Sequence, residues 1–333
     1  MIFKMKTKII RRKIKIAAEI IKKGGLVAFP TETVYGLGAD ALNSKAVKRI
    51  FEVKKRPIDN PLIVHVSNIE QIYKIAEVNK VAEKLIESFF PGPLTVVVKK
   101  KKVVPAETTA GLDTVAIRMP KHKIALRLIE LSETPIAAPS ANLAGKPSPT
   151  KFEHVLELKG KIDAIIVGRT EIGLESTVVD TTVYPIKILR PGAITYEMLK
   201  EYVDVEFYKS KTSKPKSPGM KYKHYSPDAE VYVFVGENDK VCAKIKYFAT
   251  SLIEKGYKVG LAVFDPLKFS EFEFVEGLGK NLNEVAKNLF SALINLDKQN
   301  VDYIVVQGVE SKGIGVAIMN RLEKASSGRI YRI

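Results

Sequence analysis

The stretch from Lys209 to Asp228 constrains this chain more than any other. It reads Lys-Ser-Lys-Thr-Ser-Lys-Pro-Lys-Ser-Pro-Gly-Met-Lys-Tyr-Lys-His-Tyr-Ser-Pro-Asp. Pro, Ser, Gly and Lys at this density do not build a core, so an extended linker is expected. A loop of this length is either functional or without fixed structure. On both sides of it, apolar runs alternate between the strand and the helix period, the pattern of α/β architecture. The expected organisation is a domain over 1–208, a linker over 209–228 and a second α/β domain over 229–333. With 333 residues, 46% of them hydrophobic, each domain has the means to bury its own core.

In the first domain, Ile9, Ile10, Ile14, Ile16, Ala17, Ile20 and Ile21 recur at helical spacing. This predicts a docked N-terminal helix rather than a signal-peptide core, and with it a cytoplasmic protein. Leu26–Phe29 reads as a buried strand. Asn43-Ser44 starts a helix that Pro57 stops. Strands are expected at 62–66, 94–98, 114–119, 136–138, 165–167, 177–179 and 186–189. Helices are expected near 69–76, 79–88 and 122–131, with a last one capped by Thr195. In the second domain, strands at 231–235, 259–263, 272–275 and 303–306 alternate with helices near 238–255, 281–298 and 314–325, which reads as a small open parallel sheet.

Four segments place polar residues where a plain core needs none. Pro30-Thr31-Glu32-Thr33-Val34-Tyr35-Gly36-Leu37-Gly38 follows a buried strand, and ligands of open α/β sheets gather beyond strand ends. Lys54-Lys55-Arg56 closes a helix; three cations suit its dipole, and Arg56 could also fork two oxygens of a phosphate or carboxylate. In 114–119, Thr114, Ala116 and Arg118 share one face, and an inward arginine needs an anion, either a buried acid or a substrate carboxylate. Ala138-Pro139-Ser140-Ala141-Asn142, followed by Lys146-Pro147-Ser148, suits a backbone-lined nucleotide pocket. His65, Glu175-Ser176-Thr177 and Leu189-Arg190-Pro191-Gly192 are further candidates.

Composition narrows the chemistry. Cys242 is the only cysteine, which excludes an internal disulfide and a cysteine-cluster metal site. His65, His122, His154 and His224 show no metal-ligand spacing. No P-loop and no nucleophile-elbow motif is present. No run approaches a membrane span. Lys plus Arg number 54 against 37 acids, and the net charge of +17 favours polyanionic ligands, although lysine-rich surfaces also serve heat-adapted proteins.

Taken together, these segments resemble the Sua5/YrdC family of threonylcarbamoyl-AMP synthases. The resemblance rests on P-T-E-T-V-Y-G-L-G at 30–38, K-x-R at Lys54 and Arg56, N-P-L-I-V-H at 60–65 and A-I-R-M-P at 116–120. It continues with S-x-N at Ser140 and Asn142, E-S-T-V-V-D at 175–180 and L-R-P-G at 189–192. S-P-G-M-K-Y-K-H-Y-S-P at 217–227 is similar to the linker of the long, two-domain form.

The resemblance implies a twisted α/β sheet around a basic cavity, with a smaller Rossmann-like second domain. It implies synthesis of threonylcarbamoyl-AMP and pyrophosphate from L-threonine, bicarbonate or CO2 and ATP, for tRNA modification. Lys54, Arg56, Ser140 and Asn142 would be catalytic. ATP would meet Arg56, Asn60, Thr114, Ser140, Ser148, Arg190 and, from the linker, Tyr225. L-Threonine would meet Thr33, His65, Arg118, Ala138 and Ser176. Mg2+ would come on the ATP phosphates rather than on protein side chains, and a tRNA threonylcarbamoyl transferase would take the product. tRNA itself is a further candidate partner. One rival reading is a double-stranded RNA or tRNA-binding module, which leaves Arg118 and Ser140–Asn142 unexplained. Another is a hydrogenase-maturation carbamoyl transferase, but such proteins carry zinc-finger cysteines.

Overall fold

The computed structural model describes residues 6–208 and 225–333; most of the linker, 209–224, lies outside the described residues. Contacts divide the chain into two compact units, the first holding 6–144, 149–171 and 175–208. The second holds 225–333 together with two short segments, 145–148 and 172–174.

Among the described residues, the first unit carries a twelve-stranded mixed sheet. Its strands are β1 (Lys8–Ile10), β2 (Val27–Pro30), β3 (Tyr35–Asp40), β4 (Ile63–His65), β5 (Ala76–Glu77) and β6 (Leu94–Lys100). They continue with β7 (Thr114–Arg118), β8 (Ile136–Ala137), β9 (Ala164–Ile166), β10 (Thr177–Asp180), β11 (Ile186–Arg190) and β12 (Val205–Phe207). The order is β1-β9-β2-β3-β8-β4-β7-β6-β10-β11-β12, with β5 beside β6. The strands at the centre are buried on both faces, which is why β4 and β7 read as apolar runs interrupted only by His65, Thr114 and Arg118.

One sequence expectation is corrected by the pairing of the N-terminal segment. Ile9 and Ile10 do not begin the N-terminal helix. Residues 8–10 pair in parallel with 164–166, and the helix spans Ile14–Lys22. An edge pairing satisfies backbone groups that local periodicity cannot anticipate. The glycine-containing segment after Pro30 returns as β3, Tyr35–Asp40, antiparallel to β2. A side chain on Gly38 would come within 2.7 Å of both Phe29 and Ile136, so glycine lets the strands close.

The helix Ser44–Lys54 forms as its sequence indicates. Asn43 Oδ1 accepts from Ala46 N at 3.1 Å, and Ala46, Val47, Ile50 and Phe51 face the core. Lys55 ends it in the left-handed region, at φ 51°, and this turn presents Arg56.

The second unit holds a five-stranded, all-parallel sheet: β13 (Glu230–Val235), β14 (Val259–Val263), β15 (Phe274–Gly277), β16 (Tyr303–Gln307) and β17 (Ile330–Arg332). The order is β15-β14-β16-β13-β17. Helices Asn238–Ile253, Leu282–Asp297 and Gly315–Ala325 accompany it, close to the expected bounds. The segments 145–148 and 172–174 join this unit through long-range bonds. Ser226 N donates to Gly145 O at 2.8 Å, and Lys146 pairs with Asp228 and Asp297. A side chain on Gly173 would stand 2.5 Å from the Lys287 backbone.

Candidate active site

Three polar groupings lie on the central strands of the first unit. The first is at the ends of β2, β4 and β7. Register pairs His65 with Arg118 across β4 and β7, and Val66 N donates to Arg118 O at 3.0 Å. Arg118 and Glu32 form an ion pair at 2.8 Å with both side chains 4% exposed. The inward arginine therefore does have an acid partner, Glu32, which the motif at 30–38 contains but to which no role was assigned. Thr31 fixes the loop bearing Glu32. Its hydroxyl donates to Val34 O at 2.7 Å, accepts from the N–H groups of Thr33 and Val34, and lies 2.8 Å from the Thr33 hydroxyl. His65 is fully enclosed, and burial first, then the Arg118 charge, push its pKa down to about 3. It is a neutral imidazole at pH 7.

The second grouping joins the two shortest motifs. Lys54 is buried, and its ammonium donates to the carbonyls of Ser140 and Asn142. In turn Ala144 N donates to Lys54 O at 2.9 Å. Lys54 thus holds the loop that carries Ser140 and Asn142. Burial, with the nearby Arg56 charge, drives its pKa well below the ordinary lysine value. Arg56 donates to Asn60 O at 3.3 Å and lies within reach of Pro61 O. Pairing of β8 with both β3 and β4 delivers the 138–142 loop here. Ala138 N donates to Ile63 O, Leu37 N to Pro139 O and Ala141 N to Tyr35 O.

The third grouping sits on β6, β10 and β11. Arg190 donates from Nε to Ser176 O and from Nη2 to Ser176 Oγ, each at 3.1 Å. Ser176 Oγ lies 2.8 Å from Thr95 Oγ1, a partner that sequence reasoning missed because Thr95 stands alone inside an apolar strand. Gly192 allows this junction: a side chain there would stand 2.3 Å from Thr177 N and 2.7 Å from Ser176 C.

The remaining expected contacts are more scattered. Thr114 and Arg118 occupy opposite ends of β7, roughly 13 Å apart at the usual strand rise. Ser148 is buried in the 145–148 segment of the second unit. Tyr225 is 2% exposed within the second unit, its ring 5.2 Å from that of Phe290 and 5.6 Å from the Arg321 guanidinium. No group of three or more His, Cys, Asp or Glu among the described residues could hold a metal ion.

Buried cations beside hydroxyl-bearing loops, on the central strands of a mixed sheet, define a class: an α/β domain built to hold anionic small molecules. Known proteins make the class specific. The Sua5–YciO–YrdC family model, described as telomere recombination, matches residues 19–192. The model described as the threonylcarbamoyl-AMP synthase C-terminal domain matches 194–327. The threonylcarbamoyl-AMP synthase of Pyrococcus abyssi is 52% identical over 96% of each chain, and that of Bacillus subtilis is 43% identical over 95% of this chain and 93% of its own. The crystal structure of P. abyssi Sua5 complexed with L-threonine superposes with a TM-score of 0.93 at 50% identity, covering 98% of this chain and 99% of that one. The chain belongs to the two-domain Sua5 branch of the threonylcarbamoyl-AMP synthase family.

Proposed function

We propose that this chain condenses L-threonine, bicarbonate or CO2 and ATP into threonylcarbamoyl-AMP and pyrophosphate. The observation that carries the reading is the physical link between the two signature motifs: Lys54 binds the backbone of the Ser140–Asn142 loop, with Arg56 two residues away. A polyphosphate needs positive charge and hydrogen-bond donors in a desolvated place; Arg56 would supply the charge, and the loop that Lys54 holds would supply the donors.

The threonine amine combines with CO2 to form a carbamate. A carbamate oxygen then attacks the α-phosphorus of ATP, the bond to the β-phosphate oxygen breaks, and pyrophosphate leaves. The chain contributes position and charge. Arg56 faces the phosphates, Lys54 keeps Ser140 and Asn142 in place, and Asn60, Thr114 and Arg190 are the further ATP contacts of the first unit. Arg118 receives the threonine carboxylate, with Thr33, His65, Ala138 and Ser176 around the substrate. A neutral His65 can hydrogen-bond the substrate without placing a second positive charge against Arg118. Bound Mg2+ would neutralise phosphate charge. The hydroxyl and amide oxygens of Ser140 and Asn142 fit a cation carried in by ATP, which would keep most of its contacts to phosphate and water. The product is a labile mixed anhydride that a tRNA-modifying transferase would consume.

The test is pyrophosphate release from ATP and Mg2+ with each co-substrate omitted in turn. Release that requires both L-threonine and bicarbonate, and that disappears in Arg56→Ala, is the expected result. Release independent of threonine would overturn the assignment.

A further inference from the structure

Buried ion pairs that serve only a fold normally have their remaining donors and acceptors satisfied, because an unmet polar atom in the interior is expensive. The Glu32–Arg118 pair departs from this. Both carboxylate oxygens of Glu32, and Nε and Nη2 of Arg118, have no hydrogen-bond partner. The 2.8 Å contact is a meeting of charges without an aligned N–H···O bond. Unmet hydrogen-bonding capacity of both signs thus stands at the ends of β2 and β7, on side chains that are more than nine-tenths buried.

An α-amino acid zwitterion is the complement of this arrangement. Its carboxylate needs a guanidinium, its ammonium needs a carboxylate, and the amine nitrogen and carboxyl carbon lie roughly 2.5 Å apart. We infer that Glu32 is the counter-charge for the substrate ammonium, so that the Glu32–Arg118 pair opens to admit the zwitterion and each member exchanges its partner for the matching end of the ligand. This rests on the reading of Arg118 as the carboxylate site and extends it: the pocket selects an amino acid rather than any hydroxy acid. The rigid Thr31 turn, and Glu171 N donating to Glu32 O at 3.0 Å, fix where the carboxylate stands. Glu32 is thereby a binding residue for the amine before it is carboxylated.

The experiment measures binding of L-threonine and of 3-hydroxybutyrate, which keeps the carboxylate and hydroxyl but lacks the amine, to the full chain by calorimetry. The wild type is expected to prefer threonine. Glu32→Gln should weaken threonine binding by about 10- to 100-fold, the usual worth of a hydrogen bond to a charged group. It should leave 3-hydroxybutyrate unchanged or tighter, since Arg118 no longer has a competing carboxylate. Glu32→Asp, which keeps the charge, should retain part of the preference and serves as the control if Glu32→Gln folds poorly. Equal threonine affinity in wild type and Glu32→Gln, or equal loss of both ligands, overturns the inference while leaving the threonine site intact. No threonine binding by the wild type overturns the underlying site assignment itself.

Discussion

Gly192→Ala is the sharpest test of how the sheet builds the site. A β-carbon at this position would lie 2.3 Å from Thr177 N, 2.7 Å from Ser176 C and 2.8 Å from Glu175 O. The closest of these is roughly 1 Å short of ordinary contact, and all three are backbone atoms that cannot rotate away. The segments around Arg190 and Ser176 must therefore part. Overpacking of this kind costs about 1–3 kcal/mol. For a domain of 150–250 residues this corresponds to a fall of about 2–12 °C in Tm, read by calorimetry. The same displacement acts on the two 3.1 Å bonds from Arg190 to Ser176, and a 1 Å error in a substrate-positioning group costs about 100-fold in kcat/KM. A variant that keeps its Tm within about 1 °C and retains full pyrophosphate-releasing activity would refute the argument that the β10–β11 junction positions the site.

Two further outcomes follow from the buried charges. Arg118→Ala leaves Glu32 enclosed without its counter-ion, and should cost about 3–5 kcal/mol in urea denaturation. Much of this should return in the Arg118→Met/Glu32→Gln double variant, and a loss below about 1 kcal/mol would contradict the pairing. His65 stays neutral in the folded state down to about pH 3, whereas its unfolded pKa is near 6.5. Between these values the unfolded chain binds more protons, so the stability is fully present above about pH 6.5 and is lost as pH falls. The slope from this group approaches about 1.4 kcal/mol per pH unit, and His65→Asn should flatten it. Burial lowers the pKa of His122 in the same sense, so part of the acid sensitivity should survive in that variant.

Much of the fold is readable from local pattern. The helix Ser44–Lys54 carries its cap, its apolar face and its stop in consecutive residues, and the parallel strands of the second unit announce themselves as short β-branched runs between amphipathic helices. Conversely, Ile9 and Ile10 satisfy helical periodicity yet join a strand, because their pairing partner lies more than 150 residues away. The segments 145–148 and 172–174 lie in the first half of the chain but cluster with the second unit, again through partners distant in sequence.

The same division holds at the site. By itself the sequence determined which residues are chemically out of place: Lys54, Arg56, His65, Arg118, the Ser140–Asn142 loop, Ser176 and Arg190. Most are polar groups inside apolar strands or in turns rich in small residues, and Lys54 and Arg56 close a helix; these are properties of each residue and its neighbours in the chain. Only the tertiary structure decided what each of them meets. Lys54 meets two backbone carbonyls, Arg190 meets Ser176, and Arg118 meets Glu32, 86 positions away. Sequence states which group needs a partner because desolvation is a local cost; the partner itself is chosen by sheet order and register, which depend on the whole chain at once.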